Sequence, residues 1–529
     1  MTIRSVGIVG AGFAGLSTAK VLRAFGFEVT VFEKEPDVGG VWAASRRYPG
    51  LTTQNPRTTY ALSDFPMPAH YPEWPSGQQV QAYLQSYAEH FGLVPHLRMS
   101  TVVERAVLDE DAGTWTVQTR PAQRQGQGDG VTPMQAQAQT QTQTQTQTHR
   151  FDYLVVCNGI FSEPAVPHYP GADAFVAAGG RVCHTSQFND ASAARGKHVL
   201  VVGYGKSSCD VANAIAADSA STTVLARHLI WKIPKKFMNV LNFKFLLLTR
   251  MGEALFKYIE PKGFEKFLHG AGLPVRNSML GSVESVVTRQ LKLREIGLHP
   301  GTPLETIARS TVSLVTDGFY EKVAAGALGV RKGVTIRELQ PGQAVLSNGE
   351  TVPADIVVCG TGWHQQVPFF DTGVMQRITD ARGNFRLYRS ILPVGMPRLA
   401  FNGYNSSFFS QLNCEVGALW LANHLRGGLQ LPSQADMNAQ IDRRLAWMEE
   451  RTDGKHSKGT NIIPFSVHNI DELLQDMGLP LGAVTRFRQW LEPVNPADYA
   501  VVTRQLLARH AGAAAGAPLA ARAAAGTGV

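Results

Sequence analysis

An α/β fold is what this chain of 529 residues predicts, built on two strand–loop–helix–strand units. Two observations carry that reading. The order strand, glycine-rich loop, helix, strand, charged residue occurs twice, beginning at Ser5 and again at Lys197. Two apolar segments, 152–159 and 355–362, each led by an aspartate and followed by a proline, bracket the second occurrence.

The first unit opens with Ser5–Val9, an apolar run of strand composition that leads into Gly10-Ala11-Gly12-Phe13-Ala14-Gly15. Residues 16–25 have helical patterning and stop at Gly26; residues 28–32 are a second strand, ending on Glu33. Gly10 permits the tight turn, Gly12 lets the backbone approach a pyrophosphate, and Gly15 lets helix and strand close together. The helix N-terminus adds unpaired N–H groups and the positive end of its dipole. Glu33 accepts hydrogen bonds from a ribose, and its charge repels a 2′-phosphate. A bare G-x-G-x-x-G is weak evidence; with both strands and the terminal acid in register it predicts a Rossmann-like, dinucleotide-binding unit.

In the second unit, residues 197–202 are the strand, Gly203-Tyr204-Gly205-Lys206-Ser207-Ser208 the loop, 209–217 the helix and 222–226 the second strand, ending on Arg227. Ser208 replaces the third glycine. Glu33 follows Gly10 by 23 residues and Arg227 follows Gly203 by 24, so an acid and a base hold equivalent places. Arg227 attracts the 2′-phosphate that Glu33 repels, and Lys206 and His228 add charge. The second unit is therefore expected to take NADPH and the first a dinucleotide without that phosphate.

Gly39-Gly40-Val41-Trp42 follows closely on Glu33-Lys34, and further on lie Ser63-Asp64-Phe65-Pro66 and the stretch from Gly180 through His184 to Phe188. Together these resemble the flavin-containing monooxygenase family, whose fingerprint is F-x-G-x-x-x-H-x-x-x-F/Y. Gly180, His184 and Phe188 fit it; Ala178 stands where the leading Phe belongs. The resemblance covers roughly residues 5–370. It implies two Rossmann-like dinucleotide-binding domains, the NADPH domain inserted into the FAD domain. Residues 1–164 are the first part of the FAD domain, 165–349 the NADPH domain with a helical insertion at 229–326, and 350–510 the second FAD part with the C-terminal region.

The resemblance further implies that Glu33, Lys34, Gly40, Val41 and Trp42 continue the FAD site. Thr361 and Gly362, in Gly360-Thr361-Gly362-Trp363, occupy the family's A-T-G-Y turn. An amide beside the flavin is expected at Asn55 or Gln54. Measured back from Ser63 the family's Asn falls on Gln54, with Asn55 one residue later, so both stay open. The implied chemistry is that NADPH reduces the flavin, O2 forms a C4a-hydroperoxide, and a small organic substrate takes one oxygen atom. Phe188 followed by Asn189, where a Trp followed by Pro or Asp would mark Baeyer–Villiger enzymes, points to N- or S-oxygenation. A Baeyer–Villiger enzyme acting on a ketone or aldehyde is the alternative. His184 is expected to be a hinge or packing residue.

The remaining segments read as support. Residues 76–91 form a helix capped by Ser76, with Val80, Tyr83, Leu84, Tyr87 and Phe91 on one face. Residues 114–119 and 149–156 are strand-like, and the Gln/Thr tract between them, about 121–148, is expected to be a disordered loop. Residues 403–413 are polar and aromatic, and are a candidate surface facing the flavin or substrate. From 511 to 529 the chain is an Ala/Gly tail, expected to be disordered.

Composition bounds the rest. The chain exceeds one ordinary domain. No apolar run reaches the ~20 residues that span a bilayer, and no signal peptide precedes the first strand, so a cytoplasmic location is expected. The five cysteines form no C-x-x-C, which disfavours a disulfide reductase, a zinc site and a disulfide framework. No metal ligand set is expected. The net charge of +8 is concentrated: between Arg227 and Lys262 eight Lys/Arg face only Glu253 and Glu260. No nucleic-acid motif accompanies this charge. Packing over the NADPH unit, with solvated lysines, is the expectation for that segment, ahead of an anionic membrane surface. The partners expected are a small-molecule substrate and, left open, a second copy in a homodimer. A flavin-binding regulator without turnover is the reading from another class.

Overall fold

The computed structural model describes residues 3–122, 146–309, 313–454 and 458–515. Two five-stranded parallel sheets organise it. The first runs Leu399–Phe401, Tyr153–Val156, Ser5–Val9, Glu28–Phe32, Leu97–Arg98. The second runs Gly329–Lys332, Ser221–Ala226, His198–Val202, Ile356–Cys359, Arg181–His184. In chain order, every strand of the second falls between Tyr153–Val156 and Leu399–Phe401 of the first, and because Ile356–Cys359 pairs with His198–Val202 the second unit runs past the expected boundary at 349. Past the leading Ser5 and His198 the central strands are apolar and buried, as a parallel sheet covered on both faces requires.

Both glycine loops are shorter than the sequence suggests. The helices are Phe13–Ala24 and Lys206–Ile215, each starting directly after its loop's second glycine. Gly12 and Gly205 are extended residues at the helix N-caps, and neither helix has a side-chain cap. Their first backbone N–H groups are therefore free for a ligand.

The expected strand 149–156 divides into two. Gln147–Phe151 pairs antiparallel with Thr114–Pro121, while Tyr153–Val156 enters the first sheet. Asp152 makes the corner, its Oδ2 accepting from the backbone N–H groups of Arg4 and Ser5 at 2.8 and 2.9 Å. Asp355 does the same for His198 N at 2.7 Å. Those two carboxylates fix the equivalence of the bracketing segments. Val156 pairs with Val9, and Cys359 with Val202, so Cys157 corresponds to Gly360 and the shared Val-Val-Cys letters are out of register by one. The two crossings between sheets are zipped together by the pairing of Glu163–Pro164 with Trp363–His364.

The helix Gly77–His90 is capped by Ser76, whose side chain and Gln79 satisfy one another's backbone N–H groups. The insertion is largely helical, the longest piece being Leu273–Gln290. Its lysines depart from the expectation of full solvation. Lys232 is buried, with Nζ 3.0 Å from Ser313 Oγ and 4.8 Å from the Tyr204 ring centroid, and burial lowers its pKa. Lys235 pairs with Asp317 at 2.6 Å, while Lys236 is exposed. Phe243 and Leu248 are buried, whereas Val240, at the tip of the hairpin Lys236–Phe237/Leu241–Asn242, is exposed. The final helix runs Ala500–Ala515, past the expected start of the tail. Residues 123–145 of the Gln/Thr tract and 516–529 of the tail lie outside the described residues.

Candidate functional site

A cavity of about 370 Å³ opens at the C-terminal ends of the first sheet's strands. Open α/β sheets bind their ligands at that edge. Gly10, Gly12, Glu33, Lys34, Gly40, Val41 and Trp42 of the sequence reading all line it. Gly10 has φ +108°, and a Cβ there would lie 2.5 Å from Cys157 O. Gly12 and Gly40 face each other bare: a Cβ on Gly40 would lie 3.3 Å from the Gly12 Cα. Gly15 sits beneath the loop, where a Cβ would lie 1.8 Å from Gly10 O.

Glu33 closes the end of the cavity. Its Oε2 accepts from Ala11 N at 2.7 Å and its Oε1 from Glu35 N at 3.0 Å, so the carboxylate is aimed by the loop it serves. Burial raises its pKa, against the pull of those two N–H groups. Several other wall residues carried no signal in the sequence. Arg46 lies with its guanidinium carbon 4.9 Å from the Trp363 ring centroid and donates to Phe161 O at 2.6 Å. Tyr60 meets Phe13 and Trp42 edge-on, at 5.5 and 5.7 Å between centroids. Asn405, Ser406, Ser410 and Gln411 come from the 403–413 stretch, which the sequence does place at the site. Asn405 Oδ1 and Gln411 Oε1 are buried acceptors without a hydrogen-bond partner among the described residues. Of the wall's cysteines, Cys157 is pushed up to about 12 by burial, and Cys414 is raised by the same cause.

Neither candidate amide lines this cavity, and the two point different ways. Asn55 is buried and donates from Nδ2 to Phe408 O at 2.7 Å, inside the stretch that supplies Asn405 and Ser410. Gln54 accepts from Leu314 N at 3.1 Å, in the insertion. Thr361 and Gly362 are not in the wall either. They belong to the crossing: Thr361 Oγ1 donates to Ala165 O, and Gly362 O lies 3.0 Å from His184 Nε2.

His184 is fully enclosed. Its Nδ1 meets Ser186 Oγ at 2.9 Å, and its ring stands edge-on to Trp363 at 4.6 Å. Burial lowers its pKa to about 4. The folded protein therefore resists a proton that the unfolded chain accepts near pH 6.5. This contribution to stability is complete above pH 6.5 and is lost progressively as pH falls toward 4, in all about 3 kcal/mol. Melting temperature followed across that window is expected to fall less steeply with acid in His184→Asn than in the parent. The other fingerprint residues are structural. A Cβ on Gly180 would lie 2.4 Å from the Phe175 ring, so Phe175 fills the space, and Phe188 is buried beside Arg181. Asn189 adds a contact that the sequence did not suggest: Nδ2 donates to Arg47 O at 2.8 Å and to Ser186 O at 3.2 Å.

The second glycine loop repeats the first. Gly203 has φ +109°, and a Cβ there would lie 2.5 Å from Gly360 O, as in the Gly10–Cys157 pair. A Cβ on Gly205 would meet nothing, leaving the loop open above it. Ser208 is tolerated at the third position because its Oγ lies 2.0 Å from where a Cβ of Gly360 would be. Each unit thus keeps one side chain between helix and strand: Cys157 opposite Gly15 in the first, Ser208 opposite Gly360 in the second. Ser207 follows Lys206 in the first turn of the helix. Lys206 is folded back, its Nζ 2.5 Å from Asp210, which also receives Thr316 Oγ1 at 2.5 Å. Arg227 is exposed at the strand end and has no ion pair among the described residues.

A family model described as flavin-binding monooxygenase-like matches residues 3–481. The chain belongs to that family. It is a flavin-dependent monooxygenase, an oxidoreductase that uses FAD, NADPH and O2. "Probable flavin-containing monooxygenase 1" of Arabidopsis thaliana is 28% identical over 531 residues, covering 94% of this chain and 96% of the relative. Among solved structures, an S-allyl-L-cysteine S-oxygenase from Allium sativum is similar at 19% identity and TM-score 0.60, covering 97% of this chain and 99% of its own. An oxidised steroid monooxygenase bound to NADP is similar at 20% identity and TM-score 0.63, covering 90% and 98%. No helix among the described residues is long and apolar enough to cross a membrane.

The residues of the first cavity fit a flavin dinucleotide. The facing bare glycines leave room for a pyrophosphate, and the two unpaired acceptors await N–H or O–H donors.

Proposed function

We propose that this monooxygenase transfers one oxygen atom to the nitrogen or sulfur of a small organic substrate, with FAD in the first cavity and NADPH on the second glycine loop. The observation that carries the choice is the pair Phe188-Asn189. Phe188 is buried, and Asn189 donates to Arg47 O, a bond that a proline at this place could not make. Bound FAD supplies the capacity to accept hydride from NADPH and to activate O2.

The chain's own groups do the rest. Gly10, Gly12 and the free N–H groups of Phe13–Ala24 would hold the pyrophosphate, and Glu33 would hold the ribose. Asn405 and Gln411 offer their free oxygens to donors of the ligand. Phe13, Trp42 and Tyr60 form an interlocked aromatic wall that keeps water out. Asn55 is favoured over Gln54 as the amide that orders the reacting end, because its partner Phe408 belongs to the cavity-lining stretch. An amine or sulfide brings its own lone pair, so no protein base is needed. The deciding experiment offers the FAD-loaded enzyme NADPH, isotopically labelled O2, and in parallel a tertiary amine, a sulfide and a ketone. Gain of one labelled atom by the amine or sulfide supports the proposal; conversion of the ketone alone to an ester overturns it.

Three variants test the assignments. Arg227→Ala is expected to weaken NADPH by roughly 1.5–3 kcal/mol, the worth of a hydrogen bond to a charged group, and to leave NADH nearly unchanged. Equal losses for both nucleotides in steady-state kinetics would remove Arg227 as the discriminator. Asn55→Ala is expected to raise hydrogen peroxide released per NADPH several-fold while flavin reduction keeps its rate. Gln54→Ala is expected to leave that ratio unchanged, since its bond is to the insertion. The reverse pattern would assign the role to Gln54.

A further inference from the structure

A second cavity, of about 570 Å³, opens between the insertion and the C-terminal helices and shares no wall residue with the dinucleotide cavity. One wall is the helix Ser466–Asp476, which presents His468, Asp471, Glu472 and Gln475 to it. From the same helix Asn469 bonds Asn413 at 2.7 Å, in the helix Ser410–Leu425 that lines the dinucleotide cavity. The two cavities are therefore separated by a packed helix pair.

The carboxylates of this second cavity are all matched. Glu253 and Glu265 clasp His468 at 2.6 and 2.9 Å. Asp471 receives both ends of the Arg250 guanidinium, at 2.5 and 2.9 Å. Glu472 accepts from Tyr258 at 2.7 Å and from Arg389 at 2.8 Å, and Glu260 pairs with Arg443 at 2.6 Å. Two cations in the wall are left over. Lys262 forms no ion pair among the described residues, and Arg486 reaches only Asp471, at 3.9 Å, which Arg250 already occupies. Deeper in, Arg444 is buried with its Nε unpartnered. Beside Gln440 and Gln475, the rest of the wall includes an apolar patch. Phe264 and Trp490 stand edge-on at 6.0 Å, and Ile259 and Ile441 also line the space.

Surplus cations beside a partly exposed apolar patch select a ligand with one acidic group and a hydrophobic body. The acid completes the charge-assisted pairing, and the body is removed from water. We propose that this cavity is a second small-molecule site, which takes an organic anion with an apolar body, its acid group held by Lys262 and Arg486.

The probe is 2-naphthalenesulfonate, titrated calorimetrically into the FAD-loaded enzyme with NADP+ present at saturation. Saturable binding of one probe per chain is expected, weakened by raised salt, with the neutral analogue 2-naphthalenemethanol binding at least about tenfold less tightly. Lys262→Gln with Arg486→Gln is expected to weaken the probe by at least about tenfold, the loss of one charged hydrogen bond. Both residues are exposed and outside the dinucleotide cavity, so FAD content and NADPH oxidation should be unchanged in this variant. Trp490→Phe is expected to remove the fluorescence quench on binding while the calorimetric affinity stays. No saturable binding, equal affinity for the neutral analogue, competition by NADP+, or full affinity in the double variant would each overturn the proposal.

Discussion

Gly15→Ala is expected to abolish FAD retention and to cost about 3 kcal/mol or more of stability, the upper range for overpacking a core. The added Cβ would lie 1.8 Å from Gly10 O and 2.8 Å from Gly10 C. Both atoms are backbone, so no side chain can swing away; the helix must lift off the loop whose N–H groups face the cavity. Cys157→Gly should not rescue it, because Cys157 Cβ lies 3.6 Å away and is not the obstacle. The second unit should behave differently. Gly360→Ala places a Cβ 2.0 Å from Ser208 Oγ, and that obstacle is a side chain. Ser208→Gly in the same chain is therefore expected to restore most of the lost stability and NADPH affinity. Thermal melts and flavin content of the four proteins check both halves. A Gly15→Ala protein that keeps its flavin, or a Gly360→Ala defect untouched by Ser208→Gly, would show that the loops are not packed this way.

That contrast also shows what the sequence made legible. The two glycine loops and their terminal Glu33 and Arg227 were readable because their requirements are local: a positive φ, a close approach, a charge at a strand end. The equivalence of Cys157 with Gly360 was legible only from the two leading aspartates, since the shared Val-Val-Cys letters align the cysteines instead; the register is set by Asp152 and Asp355 capturing the backbone N–H groups of Ser5 and His198. Distance in the chain hid the rest. The burial of Lys232 depends on Ser313, and Arg46 and Tyr60 meet the cavity only through folding. The proposed preference for Asn55 over Gln54 rests on partners some 353 and 260 positions away, which no local pattern encodes.

The segment Ser63-Asp64-Phe65-Pro66 draws its meaning from a residue far down the chain, and the second large effect is expected there. Glu415 is buried in the helix Ser410–Leu425 and accepts from Ser63 N at 2.7 Å and Ser63 Oγ at 2.9 Å. Lys20, also buried, lies 2.5 Å from Asp64 and 3.6 Å from Glu415. Phe65 packs among Tyr83, Tyr87 and Phe91. The motif is thus an anchor that ties the 48–68 loop, carrying Asn55 and Tyr60, to the first helix and to the helix whose Ser410, Gln411 and Cys414 line the cavity. Burial raises the Glu415 pKa while Lys20 and Ser63 oppose the shift, so the carboxylate stands only because those partners surround it. Glu415→Ala removes one partner and leaves a buried N–H and a buried ammonium less well matched, a change that costs about 3–5 kcal/mol. Glu415→Gln keeps an acceptor for Ser63 N and should lose less. In denaturant titrations Glu415→Ala is expected to unfold earliest, and its flavin should dissociate at lower temperature than in Glu415→Gln. Lys20→Met, which also breaks the cluster, should resemble the alanine variant. If Glu415→Ala instead melted within a degree or two of the parent, the cluster would not be what holds this loop in place.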